Sequence, residues 1–366
     1  MNDTYDALAL FSGGLDSILA VRLVKDQGLR VLGLHFVSPF FGHTEKTEQW
    51  QKDYCLPIRV VPVDQEFVDL LVNGPQHGFG RTLNPCIDCK VLLLNIAKGM
   101  MKEYGASFLI SGEVIGQRPM SQRRDSLNAI TRDSETRNIL LRPLCAKLLP
   151  PTLAEEQGLI DRSRLEAIWG RGRKEQLRLA EAMGISPIPT PAGGCLLTEP
   201  AASARFWPIF ARKAKSGPED FHLSNCGRQF WKGERWLTIG RNKADNECMT
   251  DLVRPDDYVL ALAHHPGPLA VGRPMTGEVW TEEDLAEAAS IMAGYSPKAR
   301  KSRRAVEVLV DRDGQSRSLT IMPAATGIPG WAPPLWNEEA LTVKAALGGE
   351  SQPTKDHDDD IDNRAS

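Results

Sequence analysis

Apolar and polar positions come in alternating blocks over the first two hundred residues. Residues 5–11 form a short apolar run, the length of a buried strand. Ser12-Gly13-Gly14 breaks it, and over 16–24 the residues Ile18, Leu19, Leu23 and Val24 recur at helical spacing. Residues 31–37 and 58–63 read as further strands, 89–103 as a helix and 108–110 as a fourth strand. Strands alternating with helices predict an α/β domain, its sheet doubly wound and mostly parallel, with ligands beyond the carboxyl ends of the strands. After Pro150-Pro151 a long helix is predicted over 165–183, and prolines at 187, 189 and 191 lead into Ala192-Gly193-Gly194-Cys195. The first domain is expected over 1–200.

Beyond 201 the pattern changes. Residues 236–239, 258–263 and 306–310 read as strands, 282–293 as a helix with Thr281 as its N-cap, and Asp313-Gly314 as a hairpin turn. This predicts a second, smaller α+β domain over 201–347, followed by a polar, acidic and disordered tail over 348–366. The length of 366 residues suits two domains. No run approaches the roughly 18 consecutive apolar residues of a membrane span. Residues 1–6 lack a basic start and an apolar run, so a cytoplasmic location without a membrane partner is expected.

Charge sharpens the picture at two places. The 44 basic and 47 acidic residues give a net charge of −3. From Glu350 to Ser366 six acids face two bases, so the rest of the chain is close to neutral and any basic binding face must be local. Seven cysteines, an odd number, argue against a disulfide framework and for thiols that serve a metal or catalysis. Cys55, Cys145, Cys226 and Cys248 stand alone in sequence and are expected to be small buried residues.

Two segments carry chemistry. Ser12-Gly13-Gly14-Leu15-Asp16-Ser17 follows a strand and opens a helix, where backbone N–H groups and the helix N-terminus can hold phosphate. Ser12 and Ser17 add hydroxyl donors and Asp16 can bear on Mg²⁺. The spacing is neither a Walker A loop nor a dinucleotide GxGxxG. In Asn84-Pro85-Cys86-Ile87-Asp88-Cys89, the Cys-x-x-Cys spacing lets two thiolates share one metal or exchange with each other, and Cys195 offers a third.

The hexapeptide resembles the signature of the PP-loop ATP pyrophosphatases. That resemblance implies an adenine nucleotide alpha hydrolase-like fold, cleavage of ATP between its α- and β-phosphates, and adenylation of a substrate. It places Ser12, Gly13, Gly14, Asp16 and Ser17 on the phosphates, His35, Phe36 and Val37 near the adenine, and Gly112 and Gln117 near the nucleotide or the target base. Within the superfamily, the Cys86–Cys89 segment and the later Gly-Gly-Cys resemble the tRNA 2-thiouridylases, with Cys86 standing where those enzymes often have Asp. Ser111-Gly112-Glu113-Val114-Ile115-Gly116-Gln117, Ser121-Gln122 and Leu141-Arg142-Pro143-Leu144 resemble the tRNA 4-thiouridine synthetases. The resemblance spans 5–200. It implies an ATP-dependent tRNA sulfurtransferase, with tRNA and a sulfur donor (sulfide, a cysteine desulfurase or a persulfide carrier) as partners. A homodimer is left open.

Cys86, Cys89 and Cys195, with Asp16, are then the catalytic candidates. The three cysteines admit a [4Fe–4S] cluster with one open iron, a persulfide and disulfide relay, or zinc with His77 as the nearby histidine. Arg118, Arg123 and Arg124 are candidates for RNA phosphates or for a solvated basic loop.

In the second domain, Gly227-Arg228-Gln229-Phe230, the segment from Gly240 to Glu247, and Tyr295-Ser296-Pro297-Lys298-Ala299-Arg300 resemble the RNA-binding domain of the NFACT proteins. Lys298, Arg300, Lys301, Arg303 and Arg304 would supply phosphate contacts. The chain departs from that family at Val259-Leu260-Ala261 and Gly267-Pro268-Leu269-Ala270, which leaves RNA binding by charge and a structural or docking role both open. Two wider alternatives also stay open: adenylation of a small-molecule acceptor, and a non-catalytic RNA- or ribosome-binding protein.

Overall fold

The structure, a computed structural model, describes residues 4–189, 194–212, 216–275, 277, 279–324 and 327–348. Ala192, Gly193 and the expected acidic tail from 349 onward lie outside the described residues.

The first sheet has five strands, β1 (Ala7–Leu10), β2 (Val31–Val37), β3 (Ile58–Pro62), β4 (Phe108–Ser111) and β5 (Leu140–Leu141), all parallel in the order β3-β2-β1-β4-β5. All four residues of β1 are buried. The strand has neighbours on both edges and helices on both faces, so it is apolar throughout instead of alternating. Ala7 and Ala9 pack with Ile18 and Leu19 of helix α1 (Leu15–Lys25). Leu8 and Leu10 face the other side, with Leu94 and Ala97 of α4 (Cys86–Tyr104) and Ile130 of α5 (Arg124–Asp133). The small residues let α1 approach closely, while each buried leucine contributes roughly 1.5–3 kcal/mol. Helices α2 (Thr47–Tyr54), α3 (Asp64–Val72), α6 (Leu153–Glu156) and α7 (Lys174–Ala182) complete this part. The doubly wound parallel sheet is therefore as the alternation of blocks predicts.

Two helix boundaries differ from expectation. α4 begins at Cys86, three residues early, so both cysteines of the Cys-x-x-Cys lie on its first turn. The helix expected over 165–183 is confined to α7. Gly170 has φ +91°, which no helix accommodates. Ile168 N–H donates to Leu144 and Gly170 N–H to Ile115, which ties this stretch to the sheet region as extended chain.

The second sheet is antiparallel: β6 (Arg228–Lys232), β7 (Arg235–Ile239), β8 (Tyr258–Leu262), β9 (Ala270–Pro274), β10 (Val306–Arg312) and β11 (Gln315–Ile321), in the order β11-β10-β8-β9-β7-β6. Helix Glu282–Gly294 packs on it through Leu285, Ala288, Ala289 and Met292. Thr281 caps that helix by accepting from Asp284 N–H at 3.2 Å. Arg273 of β9 is buried between Asp257 (2.7 Å) and Asp220 (3.1 Å), and Arg254 meets Asp220 at 2.9 Å.

Of the cysteines outside the candidate site, Cys145 and Cys226 are buried as expected, whereas Cys55 and Cys248 are exposed. Cys226 and Cys248 are paired as a disulfide, their Cα atoms 6.7 Å apart. They lie 22 residues apart, at the end of helix Pro218–Asn225 and inside helix Lys243–Asp251, so only the packing of these helices reveals the pairing.

The two halves share one core. Phe40, which follows β2, packs against Phe67 of α3 and against Phe206 and Phe221 from the second half, with ring centroids 5.0–5.5 Å apart.

Candidate functional site

The strand order reverses between β1 and β4, so the crevice of a doubly wound sheet opens where the chain leaves those two strands. Both phosphate-loop and Gly112 segments leave the sheet there. Gly13 takes φ +74° and any side chain on it would run into the Trp50 ring, so glycine is required twice over. Gly14 is the N-cap of α1 and supplies no side-chain cap. The amide hydrogens of Gly13, Leu15 and Asp16 have no acceptor among the described residues, which leaves an anion-sized set of donors at the helix start. Ser17 Oγ donates to Gly14 carbonyl at 2.7 Å and lies 3.4 Å from Ser12 Oγ, which holds the turn.

Gly112 lies against the loop from the side of β4: a methyl group there would sit 2.6 Å from the Asp16 carbonyl carbon. Gln117 Nε2 donates to Asp16 Oδ2 at 2.9 Å. Asp16 Oδ1 and Gln117 Oε1 are buried without partners, two acceptors of the kind a hard cation such as Mg²⁺ takes. Asp16, Gly112 and Gln117 are thus brought together with the loop.

His35 is held firmly at the end of β2. It is buried, with Nδ1 2.9 Å from Phe11 carbonyl and Nε2 accepting from His43 N–H at 2.9 Å. These bonds define a neutral ring, and burial lowers its pKa further. Trp50 packs edge-on to His35 and to Phe11. His35 therefore fixes the end of β1 and the cover over Gly13. Phe36 is a core residue, and Val37 is half-buried at the strand end.

Behind Gly112, Glu113 and Arg142 form a buried ion pair at 3.0 Å, and Ser111 Oγ donates to Glu113 at 3.0 Å. Burial opposes the Glu113 charge, but Arg142, and Lys90 at longer range, hold the carboxyl below its ordinary range. Lys90 also acts on Cys89. The first turn of α4, with its two thiols, therefore faces the β4 end of the crevice.

Cys89 feels both Cys195 and Cys86, so the three thiols are gathered. Apolar surroundings push Cys89 far above its ordinary value and raise Cys195 to about 12. The Cys195 segment is pinned by Leu196 N–H donating to Phe40 carbonyl at 2.8 Å and by Thr82 Oγ1 donating to Leu197 carbonyl. Asn84 Nδ2 lies 3.2 Å from Cys86 Sγ. Asp88 accepts the N–H groups of Gln76 and His77 and anchors the preceding loop to α4. His77 is engaged elsewhere, with Nε2 2.7 Å from Asp133. Among the described residues no three His, Cys, Asp or Glu side chains converge as a bound metal requires, which holds for zinc and for an iron–sulfur cluster alike.

The sequence reading missed Trp50, whose cue was a lone aromatic in the polar helix α2, and did not combine Glu113 with Arg142.

Comparison with known proteins agrees with this geometry. Residues 3–147 match the family model described as thiamine biosynthesis protein (ThiI), and 227–327 match the NFACT protein RNA binding domain. A probable tRNA sulfurtransferase of Lysinibacillus sphaericus is 29% identical over 167 residues, 43% of this chain and 39% of that protein. The tRNA-specific 2-thiouridylase MnmA 2 of Clostridium botulinum (strain Hall) is 26% identical over 125 residues, 29% of this chain and 33% of that protein. The chain thus spans well under half the length of these curated relatives. A solved structure titled as a predicted subunit of tRNA methyltransferase from Methanocaldococcus jannaschii aligns over 49% of this chain and 76% of that one, with 17% identity and a TM-score of 0.30. At that TM-score the likeness carries no weight. The chain thus pairs a segment that matches the ThiI family model with one that matches the NFACT RNA-binding-domain model.

Proposed function

We propose that this protein is an ATP-dependent tRNA sulfurtransferase that replaces a uridine carbonyl oxygen with sulfur. The observation that carries the reading is the gathering of Cys86, Cys89 and Cys195 at the same end of the sheet as the phosphate loop, linked through Lys90 and Glu113.

The uridine oxygen attacks the α-phosphorus of ATP and pyrophosphate departs. The free amides after Gly13 and the start of α1 stabilise the charge that develops on the phosphates. Asp16 and Gln117, with their unpartnered oxygens, would hold Mg²⁺, which would offset charge on the phosphates. A sulfur nucleophile then attacks the ring carbon, and AMP carries the oxygen away. Burial disfavours a free thiolate on Cys89 and on Cys195, and cysteine sulfurs are the soft ligands a [4Fe–4S] cluster takes. Such a cluster, held by Cys86, Cys89 and Cys195, would supply an open iron for sulfide. Without it, a persulfide on one cysteine delivers its outer sulfur and the second thiol closes a disulfide, which an external reductant reopens.

Purified protein, anaerobically reconstituted with iron and sulfide, is tested for AMP formation that depends on unmodified tRNA and for thionucleoside in the product. AMP formed without tRNA dependence and without thionucleoside overturns the reading in favour of another acceptor.

A further inference from the structure

Trp169 is 67% exposed, the most exposed of the large hydrophobic side chains among the described residues. Its backbone is nonetheless fixed. Residue 169 forms a parallel bridge with Ile115, and the residues on either side donate to Leu144 and Ile115. Its indole nitrogen lies against Gly116, the neighbour of the Gln117 that holds Asp16. A rigidly mounted tryptophan therefore stands in solvent beside the phosphate loop. Arg171, Arg173 and Lys174 follow it with no acid among them, and Arg118 is exposed on the facing loop. None of these four cations has an ion-pair partner among the described residues. The positive φ of Gly170 turns the chain so that the basic run leaves the sheet directly after the indole.

We infer that Trp169 is a stacking platform for an unpaired RNA base at the mouth of the site, with Arg118, Arg171, Arg173 and Lys174 on the flanking phosphates. An exposed indole among unpaired cations suits a nucleic-acid strand, because every base has a face to stack and every linkage a charge to meet. The inference rests on the tRNA reading and adds to it the surface of the PP-loop half that receives the target strand.

The test uses the full chain and unmodified tRNA transcript, with affinity measured at several salt concentrations and the KM for ATP measured in parallel. Trp169→Ala is expected to weaken tRNA binding about 10-fold or more, and Trp169→Phe to stay within about threefold of the parent. Arg171→Ala/Arg173→Ala is expected to flatten the salt dependence by roughly 0.7–0.9 per lost phosphate contact. The KM for ATP should hold in all three. Parental tRNA affinity in Trp169→Ala overturns the platform and leaves the tRNA reading intact. A rise in the KM for ATP alone overturns it too, by moving the indole to the nucleotide. A parent protein with no affinity for tRNA overturns both.

Discussion

Gly112 leaves no room between β4 and the phosphate loop: a methyl group on it would lie 2.6 Å from both the carbonyl carbon and the oxygen of Asp16. The neighbour is backbone, so the loop has to move. Gly112→Ala is expected to lower kcat/KM for ATP about 100-fold, the order produced by an ångström-scale misplacement, while costing only about 1–3 kcal/mol of stability as an overpacked site. Steady-state kinetics beside a urea titration separate the two effects. A variant with parental kinetics would detach Gly112 from the nucleotide site.

The Glu113–Arg142 pair sits directly behind that contact. Both side chains are about 95% buried, so removing one strands the charge of the other. Arg142→Ala should destabilise the fold by about 3–5 kcal/mol, whereas Arg142→Ala/Glu113→Ala should recover much of that loss. Denaturant unfolding of the two single variants and the double variant reads the coupling. Additive losses would show that the two groups do not act as a pair.

His35 sets an expected pH dependence. Burial holds its folded-state pKa below the ordinary 6.5, so folding favours the neutral ring. The unfolded chain binds the proton that the folded one refuses. Stability is therefore full above about 6.5 and falls as the pH drops through 6.5 towards the folded pKa. His35→Asn keeps a donor near Phe11 carbonyl but cannot titrate, so this part of the slope should vanish. A variant with the parental slope between pH 7 and 5 would contradict the assignment of a neutral ring.

How far the sequence was legible depended on how local each cause is. The phosphate loop was readable because strand, glycines and helix are consecutive, and the alternation of blocks predicted that β1 to β4 run parallel, though not their order in the sheet. The helix expected over 165–183 failed because Gly170 and Gly172 lie within an otherwise helical composition, and because bonds to Leu144 and Ile115 come from distant strands. β9 escaped notice since Gly272, Arg273 and Pro274 look unlike a strand. Arg273 is tolerated there only because Asp257 and Asp220 meet it. The engagement of His77 with Asp133, and the pairing of Cys226 with Cys248, join residues that no spacing rule connects.

The thiols should separate the two half-reactions. Cys89→Ser and Cys195→Ser leave the loop, Asp16 and Gln117 untouched, so pyrophosphate release on unmodified tRNA should stay within about threefold of the parent while sulfur transfer falls at least about 1,000-fold. Equal loss of both would place the cysteines in adenylation or in folding.

The most direct test of the account is nucleoside mass spectrometry of unmodified tRNA incubated with the reconstituted protein, ATP, Mg²⁺ and, in parallel reactions, sulfide or a persulfide-loaded sulfur carrier. The account predicts one new nucleoside 16 Da heavier than uridine, the mass difference of sulfur for oxygen, formed with equal amounts of AMP and absent with Cys195→Ser. An unchanged nucleoside profile, with ATP still converted to AMP, would contradict it.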